Sequence, residues 1–331
     1  MGARLLIAFL MLLLLPGETR AGTVAEFLRL GLGARALSLG DGMLSADHDA
    51  AAVYWNPALL ARAHGSSGEV MHTEQFGGLE GYDAFALAVP VGTRGETLAL
   101  GLLRLAVHDI PMTGNFAFDD FGSDGLPGTH DLGEANGRWD PGEPVHADPG
   151  SVEFRTDEEW ALLLGYARPL GERGSLGLCA KLLRQRLAGQ GSSGIGVDMG
   201  LHWALPGGFE IAARLRDAAG TRVVWDTGAR EVIGPRLNLA AGREVGLGSA
   251  SRLRASLEAA VAGWDLASGG GEWHGGLEYG WRDRLFLRAG SASGQTAFGA
   301  GIGLHRFRVD FATQPFHPLG ATNRLSALAR W

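Results

Sequence analysis

The stretch Asp131–Glu143, DLGEANGRWDPGE, has the residue types of a cation-binding loop. Calcium takes several oxygen ligands at alternate positions, with a glycine to allow a sharp turn. If Gly137 is that glycine, Glu134, Asn136, Asp140 and Glu143 fall at ligand positions and Arg138 offers its carbonyl. Asp131 stands one residue too early for the first position. Two readings stay open here, a calcium loop and a merely solvated acidic loop.

Other residue combinations carry less chemistry. Asp47, His48 and Asp49 are adjacent and could do acid–base work, but the sequence supplies no third partner, so they read as a hydrogen-bonded turn. GLGARA, Gly31–Ala36, matches the dinucleotide fingerprint only superficially, because no strand–helix–strand pattern surrounds it. Neither G-x-S-x-G nor H-E-x-x-H occurs, and the ten histidines are scattered without ligand spacing. Cys179 is the single cysteine, which excludes an internal disulfide and a cysteine-cluster metal site. In an alternating strand it reads as a small packing residue. These features point to a chain that is not an enzyme and carries no cofactor apart from the calcium that the 131–143 loop would take.

The surrounding chain has a distinctive pattern. It has 331 residues, 53 of them glycine, and lysine is nearly absent. The 29 basic residues against 36 acidic ones give a net charge of -7, which argues against a nucleic-acid surface. Residues 1–21 read as a secretory signal peptide: Arg4, the apolar run Leu5–Leu15, the breakers Pro16 and Gly17, then small residues at the cleavage positions. The apolar run is too short to span a bilayer.

Beyond Gly65 the dominant signal is period-2 alternation. In SGIGVDMGLHWAL, Ile195, Val197, Met199, Leu201 and Trp203 share one face, opposite Gly196, Asp198, Gly200 and His202. QTAFGAGIGL sets Phe298, Ala300, Ile302 and Leu304 against Gly299, Gly301 and Gly303. About 14 such runs are long enough for tilted strands that cross a bilayer. The expectation is an all-β fold: a transmembrane antiparallel β-barrel of about 14 strands over residues 66–331, in the outer membrane of a Gram-negative-type bacterium. Trp160, Trp203, Trp264, Trp273 and Trp281 fall near run ends, where aromatic girdles sit. The terminal Trp331, in phase with Leu325, Ala327 and Ala329, has the form of the signal read by barrel-assembly machinery. Outer-membrane lipid and that machinery are therefore expected partners.

The polar face of the runs is rich in glycine and alanine rather than charge, which leaves room for something solid. Residues 22–65, which lack sustained alternation, are the candidate for a segment inside the lumen. Residues 109–157, acidic and rich in glycine and proline, break the strand rhythm and are expected to form a long extracellular loop. A phase shift near Leu102 and Leu103 reads as a bulge or kink.

The N-terminal stretch Phe27–Arg62 resembles the opening of the PorV/PorQ family of outer-membrane proteins, relatives of the FadL long-chain fatty-acid transporter. Gly31, Ala34, Arg35, Ala36 and Gly40 answer the first part of the family pattern. Ala46, Asp49, Ala52, Trp55, Asn56, Pro57, Ala58 and Leu60 answer the second. Where the family has another glycine after Gly40, this chain has Asp41. The resemblance implies a hatch in the lumen, with Arg35, Asp49, Trp55, Asn56, Pro57 and Ala58 as its motif. It implies a role in protein secretion or surface assembly, with secretion-system proteins or secreted cargo as partners. The alternative it implies is passage of a hydrophobic small molecule, as in FadL.

Overall fold

The computed structural model describes residues 24–42, 48–75, 78–113, 116–262, 271–316 and 320–331. The signal-peptide expectation for residues 1–21, and Trp264, lie outside them. The alternating runs become strands. These are β1 (Ser67–Gln75), β2 (Glu80–Val91), β3 (Glu96–Thr113), β4 (Phe116–Phe118), β5 (Val145–Ala147), β6 (Val152–Leu170), β7 (Gly174–Leu187), β8 (Gln190–Leu205) and β9 (Phe209–Arg216). They continue with β10 (Thr221–Trp225), β11 (Arg230–Ile233), β12 (Arg236–Leu247), β13 (Ser251–Ala262), β14 (Gly271–Trp281), β15 (Leu285–Ala292), β16 (Gln295–Leu304), β17 (Phe307–Phe316) and β18 (Gly320–Arg330).

Apart from β4 and β5, which pair only with each other, the strands form one antiparallel sheet. β1 pairs with β18, from Ser67 opposite Arg330 to Glu74 opposite Asn323, and this seam closes the sheet. β10 lies beside β8 at Ser192–Ile195 and β9 beside the same strand at Met199–Leu205, so β9 and β10 are two pieces of one wall strand. β11 and β12 continue each other in the same way, and the closed barrel has 14 strands, as the alternation predicts. Closure leaves no unpaired edge, which is the condition for a sheet to sit in hydrocarbon. Among the described residues no helix is long and apolar enough to cross a membrane; a barrel crosses with strands.

The period of two sorts the residues. Val70, Leu98, Leu100, Leu164, Ile195, Leu257, Leu287 and Ile302 are exposed on the outside, the apolar belt a barrel shows to lipid. Trp203, Trp273, Trp281 and Trp331 are exposed as well. The inward positions are glycine, alanine and buried polar residues such as Thr73, Gln185, Asp198 and Ser326.

The phase shift expected near Leu102 and Leu103 falls just past that pair. In β3 the buried positions run Thr97, Ala99, Gly101, Leu103 and then Ala106, so the alternation slips at Arg104–Leu105. A larger irregularity lies at Asp217–Gly220. Met199 faces Leu215 and Ile195 faces Arg222, so four steps along β8 are matched by seven along its neighbour. Asp217 (φ 51) and Gly220 (φ 73) take the left-handed conformations that let the extra residues leave the ladder. Ala218 N–H still donates to Val197 O at 2.8 Å, which preserves part of the ladder.

Residues Val107–Asp157 form a separate compact unit. Its one hairpin among the described residues is β4 with β5, Phe116 opposite Ala147.

Candidate functional site

The interior of the barrel is built around the segment before β1. It holds two short helices, α1 (Ala34–Ser38) and α2 (Ala52–Trp55), and two 3-10 turns, Glu26–Arg29 and Pro57–Arg62. Pro57 explains why α2 stops: it cannot continue the helix and holds Asn56 extended, at φ -158 and ψ 104. Asn56 then caps the next turn. Its Oδ1 accepts from Ala58 N–H at 3.1 Å, and its Nδ2 donates to Leu201 O on β8 at 3.2 Å. The apolar residues around this break are buried: Val53, Tyr54, Trp55, Ala58, Leu59 and Leu60. Tyr54 Oη donates to Leu28 O at 2.6 Å and Trp55 Nε1 to Leu32 O at 2.8 Å. These bonds tie α2 to the first turn of the segment.

The inward glycines are where that segment touches the wall. A Cβ on Gly177 would lie 2.2 Å from the Pro57 carbonyl carbon, and one on Gly290 would lie 2.2 Å from that of Leu39. A Cβ on Gly200 would meet Asn56 Oδ1 at 2.0 Å, and one on Gly299 would meet Ser38 Cβ at 2.4 Å. Each is a close approach that only glycine permits.

Charged residues make the other attachment. Arg35 donates to Glu278 at 2.8 and 2.9 Å, and Arg288 donates to the same carboxylate at 2.6 Å. Arg288 reaches Asp310 at 2.8 Å, and Arg308 reaches it at 2.6 Å. Arg308 lies 3.9 Å from Asp49, whose two oxygens accept from Arg330 at 2.8 Å each. This unbroken chain of alternating charge runs from α1, across β14, β15, β17 and β18, to Asp49 just before α2. Burial pushes the Asp49 carboxyl up, but the Arg330 hydrogen bond and the Arg308, Arg330 and Arg35 charges outweigh it and hold it below the usual carboxylate range. Asp41, at φ 59, sits in the left-handed region that favours glycine. Burial raises its carboxyl against the opposing charges of Arg324 and His274.

Three further arginines satisfy carbonyls that the short helical turns leave open. Arg214 donates to Tyr54 O and Trp55 O, Arg216 to Leu28 O at 2.8 Å, and Arg324 to Leu30 O at 2.6 Å. Sequence reasoning did not single these out, nor Glu278, Arg288 and Asp310. The signal available was a charge placed in the glycine-rich phase of a strand, where water alone would not hold it.

The structure thus brings Arg35, Asp49, Trp55, Asn56, Pro57 and Ala58 into one buried assembly. Trp331 exchanges backbone hydrogen bonds with Ser66 at 2.9 and 3.0 Å, while its side chain stays exposed. A cavity of 420 Å³ lies at Arg35, His48, Asp49, Glu244, Arg254 and Arg330. Its lining is charged rather than apolar.

In the separate unit, the acidic loop is held by its own amides. Glu134 accepts from Gly128 and His130 N–H, and Glu143 from Gly122 and Asp140 N–H at 2.9 and 2.7 Å. Asn136 Oδ1 accepts from Arg138 N–H, and its Nδ2 donates to Asp140 at 2.6 Å. Asn136, Asp140 and Glu143 are therefore linked, while Glu134 turns to another part of the loop. Hydrogen bonds from Ser123 and backbone amides hold the Asp131 carboxyl below its usual range.

No family model matches the sequence, and neither does any curated protein. Solved structures do match. The toluene transporter TodX of P. putida is similar over 91% of this chain and 99% of its own, at TM-score 0.55 and 11% identity. A FadL homologue of Pseudomonas aeruginosa is similar over 90% and 98%, at TM-score 0.53 and 12% identity. The fold is that of the FadL-like barrels. The toluene transporter TbuX of Ralstonia pickettii is similar over 91% and 98%, at TM-score 0.51 and 10% identity. The similarity to these three structures spans nearly the whole chain, so the likeness of fold includes the wall as a complete circuit.

Proposed function

We propose that this chain is a non-enzymatic outer-membrane barrel that passes hydrophobic small molecules, with the segment before β1 acting as its hatch. The observation that carries the reading is the bulge at Asp217–Gly220. It interrupts the wall beside a small apolar cluster, Leu215 and Ala218 with Met199 and Leu201 packed against it. Val223, just past the bulge, belongs to the apolar core that includes Val53, Leu60, Leu103 and Leu163. Asp217 of the bulge pairs with buried Lys181, which also pairs with Asp198 at 2.7 Å, so an apolar solute entering there would pass this ion cluster before reaching that core. The core is filled by the segment's own side chains, so passage requires the segment to shift. The similar structures, two toluene transporters and a FadL homologue, support the same reading.

The test is uptake of a labelled monoaromatic hydrocarbon and a labelled long-chain fatty acid. The host is a Gram-negative strain lacking its own FadL-like transporter. Expression of the intact chain is expected to raise uptake of one class several-fold. Deletion of Ala218 and Ala219 should lower it without loss of folded barrel. Uptake equal to the empty host for both classes overturns the proposal.

The PorV-type role in secretion remains a second reading, favoured by the compact unit Val107–Asp157, which is large enough to carry a protein-binding surface. Co-purification of secretion components with the intact chain, abolished by removal of residues 114–147, is its expected result.

A further inference from the structure

We propose that His48, His202 and Glu210 form a binding site for a borderline divalent transition metal of the zinc class, which fastens the segment before β1 to the β8–β9 hairpin. Among the described residues they are the one group of three or more His, Cys, Asp or Glu whose ligand atoms lie within 4.8 Å of one another. Two imidazoles and one carboxylate are a ligand set that suits zinc.

The spacing is the telling feature. His202 Nε2 lies 3.3 Å from Glu210 Oε2, and His48 Nε2 lies 3.7 Å from the same oxygen. A charge-assisted hydrogen bond closes to about 2.7–2.9 Å, as His72 Nδ1 does with Asp83 Oδ1 at 2.7 Å in this molecule. Ligands about 2.0–2.1 Å from a tetrahedral ion stand about 3.3–3.4 Å from each other. The two separations from Glu210 Oε2, 3.3 and 3.7 Å, are close to that ligand-to-ligand distance.

The protonation pattern agrees. His48 Nε2 is buried with no hydrogen-bond partner. His202 is 2% exposed, and its Nδ1, on the far side of the ring, is also unpartnered. His202 Nε2 makes a long 3.3 Å hydrogen bond with Glu210 when its proton is on Nε2. With the proton on Nδ1, the Nε2 lone pair faces the carboxylate and would be free to ligate a cation held between them. Arg254 Nη2 stands 4.0 Å from the other oxygen, Glu210 Oε1, and orients the carboxylate from outside. His48 lines the 420 Å³ cavity, which supplies a route for the ion and space for a water as fourth ligand.

The three residues come from separate parts of the chain. His48 immediately precedes Asp49, already bound to Arg330. On the hairpin, Glu210 faces Ala204 and His202 faces Ala212, so both side chains belong to the same two-strand unit. A metal here would add a second anchor to the stretch that leads into α2.

The test uses the untagged full chain, folded in detergent and stripped with chelator. Zinc is titrated against a chromophoric competitor, and cobalt(II) is added separately to read coordination from its visible absorption. One equivalent of zinc is expected to bind, and cobalt is expected to give the intense bands of a tetrahedral site. His48→Ala and Glu210→Gln should each weaken zinc binding at least about tenfold, whereas His72→Ala, at the exposed His72–Asp83 pair, should leave it unchanged. Folding of each variant is checked by its heat-dependent gel shift. His48→Ala removes no strand residue and keeps the test open if His202→Ala fails to fold. Zinc is also expected to slow hydrogen exchange in residues 48–62. No saturable binding below millimolar zinc, or binding indifferent to both His48→Ala and Glu210→Gln, overturns the proposal.

Discussion

Gly177→Ala is the smallest change that tests whether the wall is shaped around the segment before β1. The added Cβ would lie 2.2 Å from Pro57 C, 2.3 Å from Ala58 N and 2.5 Å from Pro57 O. All three are backbone atoms, so no side chain can swing aside. An ordinary carbon contact is about 3.5 Å, so the turn must retreat by about 1.3 Å. That turn is fixed by Asn56, which bonds both Ala58 N–H and Leu201 O. Overpacking of this kind costs about 1–3 kcal/mol, and roughly 2 kcal/mol shifts the docked-to-undocked ratio about thirty-fold. The strand itself gains from the change, because alanine in a strand interior is better than glycine by roughly 0.5–1 kcal/mol. The expected phenotype is therefore split: the barrel keeps its heat-dependent gel shift, while residues 24–65 become open to limited proteolysis. Gly81→Ala is the control, because nothing lies within 4 Å of a Cβ there. Equal protease resistance in Gly177→Ala, Gly81→Ala and the parent would refute the close approach on which the interior description rests.

Asn56→Ala removes a buried cap and leaves Leu201 O and Ala58 N–H without their partner. It should lower stability toward denaturant by about 1–2 kcal/mol, read from tryptophan fluorescence. Asp49→Asn should cost about 1–3 kcal/mol at neutral pH, below the value for a fully buried pair because the Arg330 side chain is 46% exposed. The Asp49 carboxyl is held below its ordinary range when folded, so its contribution is present above about pH 4 and is lost as pH falls further. The gap between parent and Asp49→Asn should therefore shrink in acid, and a constant gap would contradict the assignment. Trp331→Ala should reduce the yield of assembled barrel in membranes while leaving expression unchanged, measured by the ratio of shifted to unshifted bands. Each Glu134 and Glu143 oxygen accepts one amide and keeps lone pairs for a cation. If the Asp131–Glu143 loop takes calcium, titration calorimetry should show saturable heat that Glu143→Gln weakens, and no saturable heat below millimolar calcium would leave it a solvated acidic loop.

The strands were legible because a residue repeat of two leaves little ambiguity over nine or more positions. Ile195, Val197 and Trp203 on one side and Gly194, Gly196 and Gly200 on the other could belong only to a wall with lipid outside and solid matter inside. The bulge at Asp217–Gly220 was not legible, because Asp-Ala-Ala-Gly reads as an ordinary turn between two short strands. Only pairing of both pieces with β8 reveals one interrupted strand. The phase shift near Leu102 and Leu103 was legible: it falls at Arg104–Leu105, between buried Leu103 and buried Ala106. The partners of Arg35 and Asp49 could not be read. Glu278 and Arg330 are distant in sequence, and local spacing holds no record of which strands close beside one another. His48, His202 and Glu210 come together for the same reason, although the histidines look scattered along the chain.

The charge chain and the β1–β18 seam together impose an order of events. The segment before β1 is made first, yet it binds residues made last. Arg324 reaches Leu30 across 294 positions, and Arg330 reaches Asp49 across 281. Contacts so far apart in sequence form late, because the chain must first close a long loop. During synthesis and transit the segment therefore has no finished binding surface. Contacts to Leu201 and Arg214 can form earlier, but the ties to Arg324 and Arg330 cannot exist until β18 does, so the set that fixes the segment is complete only when the wall is.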